Sequence, residues 1–207
     1  MTPAQPARVA FAGQREALRS SHVWSIALPF ALVLTAQVGF IVHQLAFLLP
    51  HLGAHGAANA VAVTAVAALT GRMAMAPLID RIDQRLASAA SFTLQAAGLG
   101  LMLILPDRPV ALYVGSVLFG LSVGNVITLP ALIVQREFPA SSFGLVISTV
   151  STVGYATLAF GPMLLALARD IAGSYAVAIL LCITLQLAGA LILLISKPRL
   201  AELSLRG

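Results

Sequence analysis

Long stretches of this sequence contain no Asp, Glu, Lys or Arg, and their lengths restrict what the chain can fold into. The charge-free stretches are residues 24–71, 86–106, 109–135, 138–168 and 171–196. A helix needs about 20 apolar residues to cross a hydrocarbon core of about 30 Å. The first stretch is about twice that length and is broken by Pro50 and Gly53. We therefore predict six transmembrane helices, near residues 24–49, 59–79, 86–105, 110–134, 143–168 and 175–195.

The composition also favours a membrane protein, because 59% of the residues are hydrophobic and 9% are charged. A soluble domain has about 25% charged residues. Inside a bilayer the backbone must satisfy its own hydrogen bonds, which leaves helices or closed barrels, and these runs exceed barrel strands of about 10 residues. The predicted fold class is an all-α polytopic membrane protein. We expect a cytoplasmic tail or linker at residues 1–22, a transmembrane domain at 23–196 and a second cytoplasmic tail at 197–207.

The formal net charge of +5 follows membrane topology and does not indicate a nucleic-acid partner. Basic residues collect before the first helix, after the last, and in the second and fourth loops, whereas the other loops carry only Arg108 and Arg169. The positive-inside rule then predicts that both termini lie on the cytoplasmic side of a plasma or inner membrane. The residues that set this bias are Arg8, Arg15, Arg19, Arg81, Arg85, Arg136, Lys197, Arg199 and Arg206.

Arg72 is the outstanding single residue, because it precedes the second loop by several residues and so falls inside the predicted second helix. A cation at that depth costs about 2.5–3.5 kcal/mol on insertion scales, so it normally faces water or a partner. One interpretation is a binding site for a substrate carboxylate, which a guanidinium holds with two hydrogen bonds. The alternative is an arginine that reaches back towards the interface or pairs with a helix end.

Polar residues recur on single faces of three predicted helices, as the lining of a solute pathway would require. Each hydroxyl could instead bond to its own helix or to a neighbouring one. The faces are Ser148, Ser151, Thr152 and Tyr155 on helix five, Ser122, Asn125 and Thr128 on helix four, and Gln37, His43 and Gln44 on helix one.

The other chemical motifs are weak, and we expect no enzyme activity, cofactor or bound metal. His43 could carry a coupling proton, although a packing hydrogen bond is an equal alternative. His51 and His55 lack a Cys or carboxylate that would complete a metal site. The Gly120-x-Ser122-x-Gly124 pattern lies in the middle of a predicted helix, whereas a nucleophilic serine of this type needs a strand-to-helix turn.

The segment around the second loop resembles the signature of the major facilitator superfamily, Gly-x8-Asp-Arg-x-Gly-Arg-Arg. Here it reads Gly71-Arg72-x4-Pro77-Leu78-Ile79-Asp80-Arg81-x3-Arg85, with Asp83 where the family usually has glycine. Two further segments look like parts of the tenth and eleventh helices of these transporters. They are Phe119-Gly120-Leu121-x2-Gly124-Asn125 and Gly161-Pro162-x7-Asp170-x2-Gly173-Ser174-Tyr175. The resemblance implies a C-terminal six-helix half built from two inverted three-helix repeats.

Within that superfamily the chain is most similar to the monocarboxylate-porter-like and oxalate/formate-antiporter-like group. Arg72 occupies the place of an arginine that binds the substrate carboxylate, but Ala68 stands where eukaryotic members have an acidic residue. The resemblance implies secondary active transport of a small solute, an organic anion or monocarboxylate, by alternating access. The implied substrate-binding residues are Arg72, Asn125, Ser151, Tyr155, His43 and Gln44, and the implied gating loop comprises Gly71, Asp80, Arg81 and Arg85.

A single half would not enclose the central cavity of such a transporter. We therefore expect a partner in the bilayer, either an N-terminal half or a second copy of this chain. Two alternatives remain open at this point: a membrane interaction protein that transports nothing, and an inactive half-transporter fragment.

Overall fold

The computed structural model describes residues 13–78 and 81–196, and every regular element in these two ranges is an α-helix. The helices are α1 (Gln14–Arg19), α2 (Ser21–Met75), α3 (Gln84–Ile104), α4 (Pro109–Val126), α5 (Leu129–Glu137), α6 (Ala140–Leu158), α7 (Gly161–Ala172) and α8 (Tyr175–Ile195). The all-α prediction is confirmed.

Five stretches are long and apolar enough to cross a membrane, by length and composition. They support an integral membrane protein in contact with lipid. The stretches are α2, α3, α4, the run Ala140–Ala172 that contains α6 and α7, and α8. The sequence predicts six helices, and the difference arises because α2 contains the first two of them.

α2 folds back on itself at Gly53. This residue has φ 69° and ψ 176° inside the 55-residue element, and glycine adopts a positive φ at no steric cost. The Gln44 Nε2 atom donates to the Thr64 Oγ1 atom over 2.7 Å, although 20 residues of straight helix would separate them by about 30 Å. α2 therefore consists of a first arm (residues 21–52) and a second arm (residues 54–75) that lie side by side, and the predicted break near Pro50 and Gly53 is confirmed.

Two further helix breaks were not predicted. The chain leaves helical hydrogen bonding at Ile127–Thr128, between α4 and α5, and at Ala159–Phe160, between α6 and α7. Each break is followed by a proline, Pro130 or Pro162, which cannot donate a hydrogen bond to the preceding turn. The spans predicted over residues 110–134 and 143–168 are therefore helical, but each is interrupted by a non-helical break.

Close backbone contacts at glycines hold the helices together. A Cβ atom at Gly120 on α4 would lie 2.5 Å from the Thr64 carbonyl oxygen on the second arm, and one at Gly98 on α3 would lie 2.7 Å from the Gly115 carbonyl oxygen on α4. A Cβ at Gly39 on the first arm would likewise lie 2.9 Å from the carbonyl oxygen of Gly161 on α7. Since lipid is as apolar as leucine, such contacts stabilise a bundle where hydrophobic burial does not.

A buried chain of three glutamines links the first arm, α3 and α8. The Gln186 Nε2 atom donates to Gln95 Oε1 over 3.0 Å, and Gln95 Nε2 donates to Gln37 Oε1 over 2.8 Å. All three side chains are at most 2% exposed. Gln37 therefore takes part in helix packing rather than facing a pathway.

Part of the segment predicted as an N-terminal tail packs against the bundle. Residues 14–19 form α1, which contacts α2 and α6, and Ala17 is fully buried. The Trp24 Nε1 atom at the start of the first arm donates to the Leu18 carbonyl oxygen over 2.7 Å. The domain boundary at residue 22 stays a prediction.

We expect the substitution Gly120→Ala to lower the free energy of unfolding by about 1–3 kcal/mol, because its methyl group would force α4 away from the second arm. Gly100→Ala is the matched control, since a Cβ at Gly100 would have no atom within 4 Å. The control should be neutral or stabilising by up to about 1 kcal/mol, as alanine is the better helix former. Denaturant titration in detergent measures both; equal effects would contradict the packing account.

Candidate functional site

A cavity of about 500 Å³ lies at the break between α4 and α5, against the end of the second arm. The break places Asn125 and Thr128 in the wall of the cavity. Its lining is Arg72, Met75, Ala76, Asn125, Ile127, Thr128, Leu129, Ala131 and Leu132.

Arg72 brings a positive charge to this cavity. Its side chain is exposed, and within residues 13–78 and 81–196 the structure gives it no ion pair with an acidic group. Its Cβ would lie 3.0 Å from a Cβ at Gly124, so close packing against α4 fixes the base of the side chain. The guanidinium is thus available to an anion.

The beginning of α5 adds to the same electrostatic preference. The first N–H groups of a helix have no partner in the preceding turn, and the helix dipole places partial positive charge there. Three residues of the first turn of α5, Leu129, Ala131 and Leu132, line the cavity. Asn125 contributes a side-chain amide, and the Thr128 hydroxyl donates to the Asn125 carbonyl oxygen over 3.1 Å. A small anion in the cavity would therefore meet the Arg72 side chain and the first turn of α5.

A second, smaller cavity of about 50 Å³ adjoins the first at Ile127 and reaches Ser151 and Tyr155 on α6. Four of the residues predicted to bind substrate, Arg72, Asn125, Ser151 and Tyr155, therefore lie around one helix break. The substrate-binding role of each stays a prediction.

The polar face of α6 points away from the bundle. Ser148, Thr152 and Tyr155 follow one another at helical spacing and are all exposed, Tyr155 by 62% of its surface. The Ser148 hydroxyl bonds within its own helix, to the Leu145 carbonyl oxygen over 2.9 Å. An exposed polar stripe in the middle of an apolar span suits contact with water or protein better than contact with lipid.

His43 and Gln44 lie outside both cavities. Gln44 is 1% exposed, and its Nε2 atom lies 2.7 Å from Thr64 Oγ1 and 3.5 Å from Ser116 Oγ. The His43 ring bonds to the Tyr175 hydroxyl in the first turn of α8 and to the Pro162 carbonyl oxygen in the first turn of α7. Both side chains join helices here, and their predicted contact with substrate stays a prediction.

The four residues of the predicted gating loop lie in different environments. A Cβ at Gly71 would overlap the carbonyl group of Leu121, so this position allows the second arm to approach α4. Asp80 lies outside the described residues. Arg81 is exposed, and its backbone N–H donates to the Leu78 carbonyl oxygen over 2.9 Å.

Arg85 is buried at the start of α3, although the sequence places it in an exposed loop. Its Nε and Nη2 atoms bind the Glu137 carboxylate over 2.6 and 2.9 Å. The Nη2 atom also donates to Ser25 Oγ over 2.9 Å, and Nη1 to the Leu193 carbonyl oxygen over 3.3 Å. One guanidinium thus gathers the start of α2, the start of α3, the end of α5 and the end of α8 at the same end of the bundle.

Glu137 lies beyond the apolar spans, and opposing effects act on its carboxyl group. Burial is the largest and raises the pKa, but the hydrogen bonds and positive charges of Arg85 and His22 together outweigh it. The pKa of Glu137 therefore lies below its usual value of 4.5. His22 contributes through its Nε2 atom, 3.1 Å from Glu137 Oε2.

Sequence reasoning missed the helix break that forms the cavity and the Glu137 partner of Arg85. The signal for the first is Pro130, two residues after Thr128. The second had no local signal, because the two residues are 52 positions apart.

No family model matches the chain, and no match was found among curated proteins. The resemblance to the major facilitator superfamily therefore rests on the sequence motifs alone, while the structure itself supports an all-helical protein with five candidate membrane spans.

We expect Arg85→Ala to lower the free energy of unfolding by about 3–5 kcal/mol, because it leaves a largely buried carboxylate without its partner. Asp170→Asn is the control for charge removal in general, since Asp170 pairs with Arg169 across an exposed surface over 3.6 Å. The control should cost less than about 1 kcal/mol. Chemical unfolding in detergent at neutral pH distinguishes the two.

The Glu137 carboxylate should also make stability depend on pH. Because its pKa is lower in the folded than in the unfolded protein, its stabilising effect is complete above about pH 4.5 and is lost as the pH falls through the folded-state value. As the pH is lowered below about 4.5, the thermal unfolding temperature of the native chain should decrease. The unfolding temperature of Glu137→Gln should decrease less. Parallel pH curves for the two proteins would contradict this role.

Proposed function

We propose that this chain is one half of a secondary transporter of the major facilitator type, which moves a small organic anion across a membrane by alternating access. One observation carries the proposal. Arg72, an exposed cation in the last turn of α2, shares one cavity with the first turn of α5, and a second cavity that meets the first at Ile127 reaches Tyr155 on the exposed polar stripe of α6.

The cost of exposing Arg72 and the polar stripe of α6 to lipid favours a water-filled site between two protein surfaces. An arginine facing lipid at the centre of a span costs about 2.5–3.5 kcal/mol on insertion scales. Arg72, in the last turn of α2, would incur part of this cost, and three exposed polar side chains on α6 add to it. A second half that covers this face would place these groups around water and solute instead. The partner would be an N-terminal half or a second copy of this chain.

Within that site the residues have separate tasks. The Arg72 guanidinium would bind the carboxylate with two hydrogen bonds, a geometry that lysine cannot reproduce. The α5 N-terminus would stabilise the remaining negative charge, and Asn125, Ser151 and Tyr155 would bind polar groups of the solute.

Substitution of Arg72 tests the anion site. In proteoliposomes that contain the chain with its partner half, Arg72→Ala should reduce uptake of labelled formate, oxalate or lactate by about 30-fold or more. That is the effect of about 2 kcal/mol lost with a charged hydrogen-bond pair. Arg72→Lys should retain little of the native uptake, because lysine cannot form the two parallel hydrogen bonds. Arg108→Ala, which removes an exposed charge in the third loop, should leave uptake unchanged. Uptake that survives Arg72→Ala would exclude this residue from the site.

Cysteine accessibility tests whether the α6 face borders water. Single cysteines at Ser148, Thr152 and Tyr155 should react with a membrane-impermeant thiol reagent in membranes, whereas one at buried Val146 should not. Protection at all four positions would favour the alternative, a membrane interaction protein whose polar face serves only helix contacts.

A further inference from the structure

Two exposed arginines lie on the outer side of α1, just before the first transmembrane span. Arg15 and Arg19 are about one turn apart and exposed, whereas Ala17, on the opposite side of this helix, is fully buried against the bundle. Among residues 13–78 and 81–196, neither arginine side chain has an ion pair or a hydrogen bond. Both guanidinium groups are therefore available to a ligand outside the bundle.

An apolar surface adjoins the two arginines at the start of the first arm. Leu18, on the same face of α1 as Arg15, is 42% exposed, and Trp24 and Leu28, which follow one another by about one turn on the first arm, are each 40% exposed. The Trp24 indole N–H donates to the Leu18 carbonyl oxygen over 2.7 Å, which fixes the ring against the end of α1. Tryptophan is typical of the headgroup level of a bilayer, because its ring is apolar and its N–H is polar.

The end of the bundle that carries α1 has an excess of positive charge. Apart from Arg72, five arginines and three acidic groups of the described residues lie at this end, a formal charge of +2, whereas two arginines and two acidic groups cancel at the opposite end. Anionic lipids attract basic groups that lie next to a membrane span. The residues at the α1 end are Arg15, Arg19, Arg81, Arg85, Arg136, Glu16, Asp83 and Glu137, and those at the other end are Arg108, Arg169, Asp107 and Asp170.

We propose that α1 and the start of the first arm form a binding site for an anionic phospholipid. Arg15 and Arg19 bind the phosphate of the headgroup, to which the planar guanidinium donates several hydrogen bonds. Trp24 lies beside the ester groups below it, and an acyl chain runs along Leu28 into the bilayer. A free phosphate ion would meet the same two arginines but would leave the exposed apolar surface uncovered, so the arrangement favours a lipid.

The fluorescence of Trp24 measures this site directly, because it is the single tryptophan of the chain. The full chain would be reconstituted in phosphatidylcholine with increasing fractions of brominated phosphatidylglycerol or brominated phosphatidylcholine. Bromine on the acyl chain quenches a tryptophan that it contacts, so the two series give the relative binding constant of the two lipids. A basic residue near an anionic surface contributes about 1 kcal/mol, or about fivefold. At low salt we expect phosphatidylglycerol to bind about 25-fold more tightly, the product of two such contributions.

Substitution of the arginines identifies the residues responsible. Arg15→Gln and Arg19→Gln should each lower the preference for phosphatidylglycerol by about fivefold, and the double variant should bind the two lipids equally. Arg81→Gln is the matched control, since it removes an exposed charge at the same end but outside α1, and it should change the preference by less than about twofold. Quenching by brominated phosphatidylcholine should be the same in every variant, because none of these substitutions moves Trp24.

Three results would overturn the proposal. They are equal binding of the two lipids by the unsubstituted chain, a loss of preference in Arg81→Gln as large as in Arg15→Gln, and release of phosphatidylglycerol by inorganic phosphate at constant ionic strength. The last result would show a site for a free anion instead of a lipid. The measurement needs neither solute nor partner half, so its failure would leave the proposed transport function intact.

Discussion

In lipid the hydrophobic effect contributes little to packing one helix against another. The architecture of this protein depends on the close backbone contacts and buried polar bonds that stabilise the helices instead. Glycines let backbones touch where α4 meets the second arm, where α3 meets α4, and where the first arm meets α7. A few buried polar bonds then fix the register, with Gln44 on Thr64 inside the hairpin and Arg85 on Glu137 at one end. The bond inside the hairpin is a strong determinant of geometry because its alternative is an unsatisfied group in hydrocarbon.

The same constraint explains why the candidate site lies where it does. Pro130 and Pro162 each interrupt a span, and broken helices inside a membrane are tolerated where the freed backbone borders a cavity or another protein surface. The break before Pro130 brings the first turn of α5 towards Arg72 and leaves room for a small solute. The break before Pro162 instead separates a helix with little buried surface from the rest of its span. A proline thus leads to a cavity at one break and to a helix with little buried surface at the other, depending on what packs beside it.

Much of the fold followed from charge spacing, but the finer structure did not. The charge-free runs located the spans. Helical spacing placed Asn125 on a polar face of one helix and Ser151 and Tyr155 on a polar face of the next, and the cavities beside these residues meet at Ile127. Prolines were ambiguous: Pro29 and Pro50 stay inside α2, whereas Pro130 and Pro162 follow breaks. Periodicity identifies a face of a helix but not the neighbour that covers it. His43 and Gln44 were therefore grouped with the site although they bond elsewhere, and Arg85 was taken for a loop cation although its acid partner is distant in sequence.

The chain of three glutamines has a mechanical consequence. Its two amide bonds connect the first arm, α3 and α8 in the interior, and sliding any of these helices by one turn, about 5.4 Å, would break a bond. The three side chains are at most 2% exposed, so water could not readily take over the lost partner. Those three helices must travel as one solid block, so any shape change that this protein undergoes has to be accommodated at its proline joints.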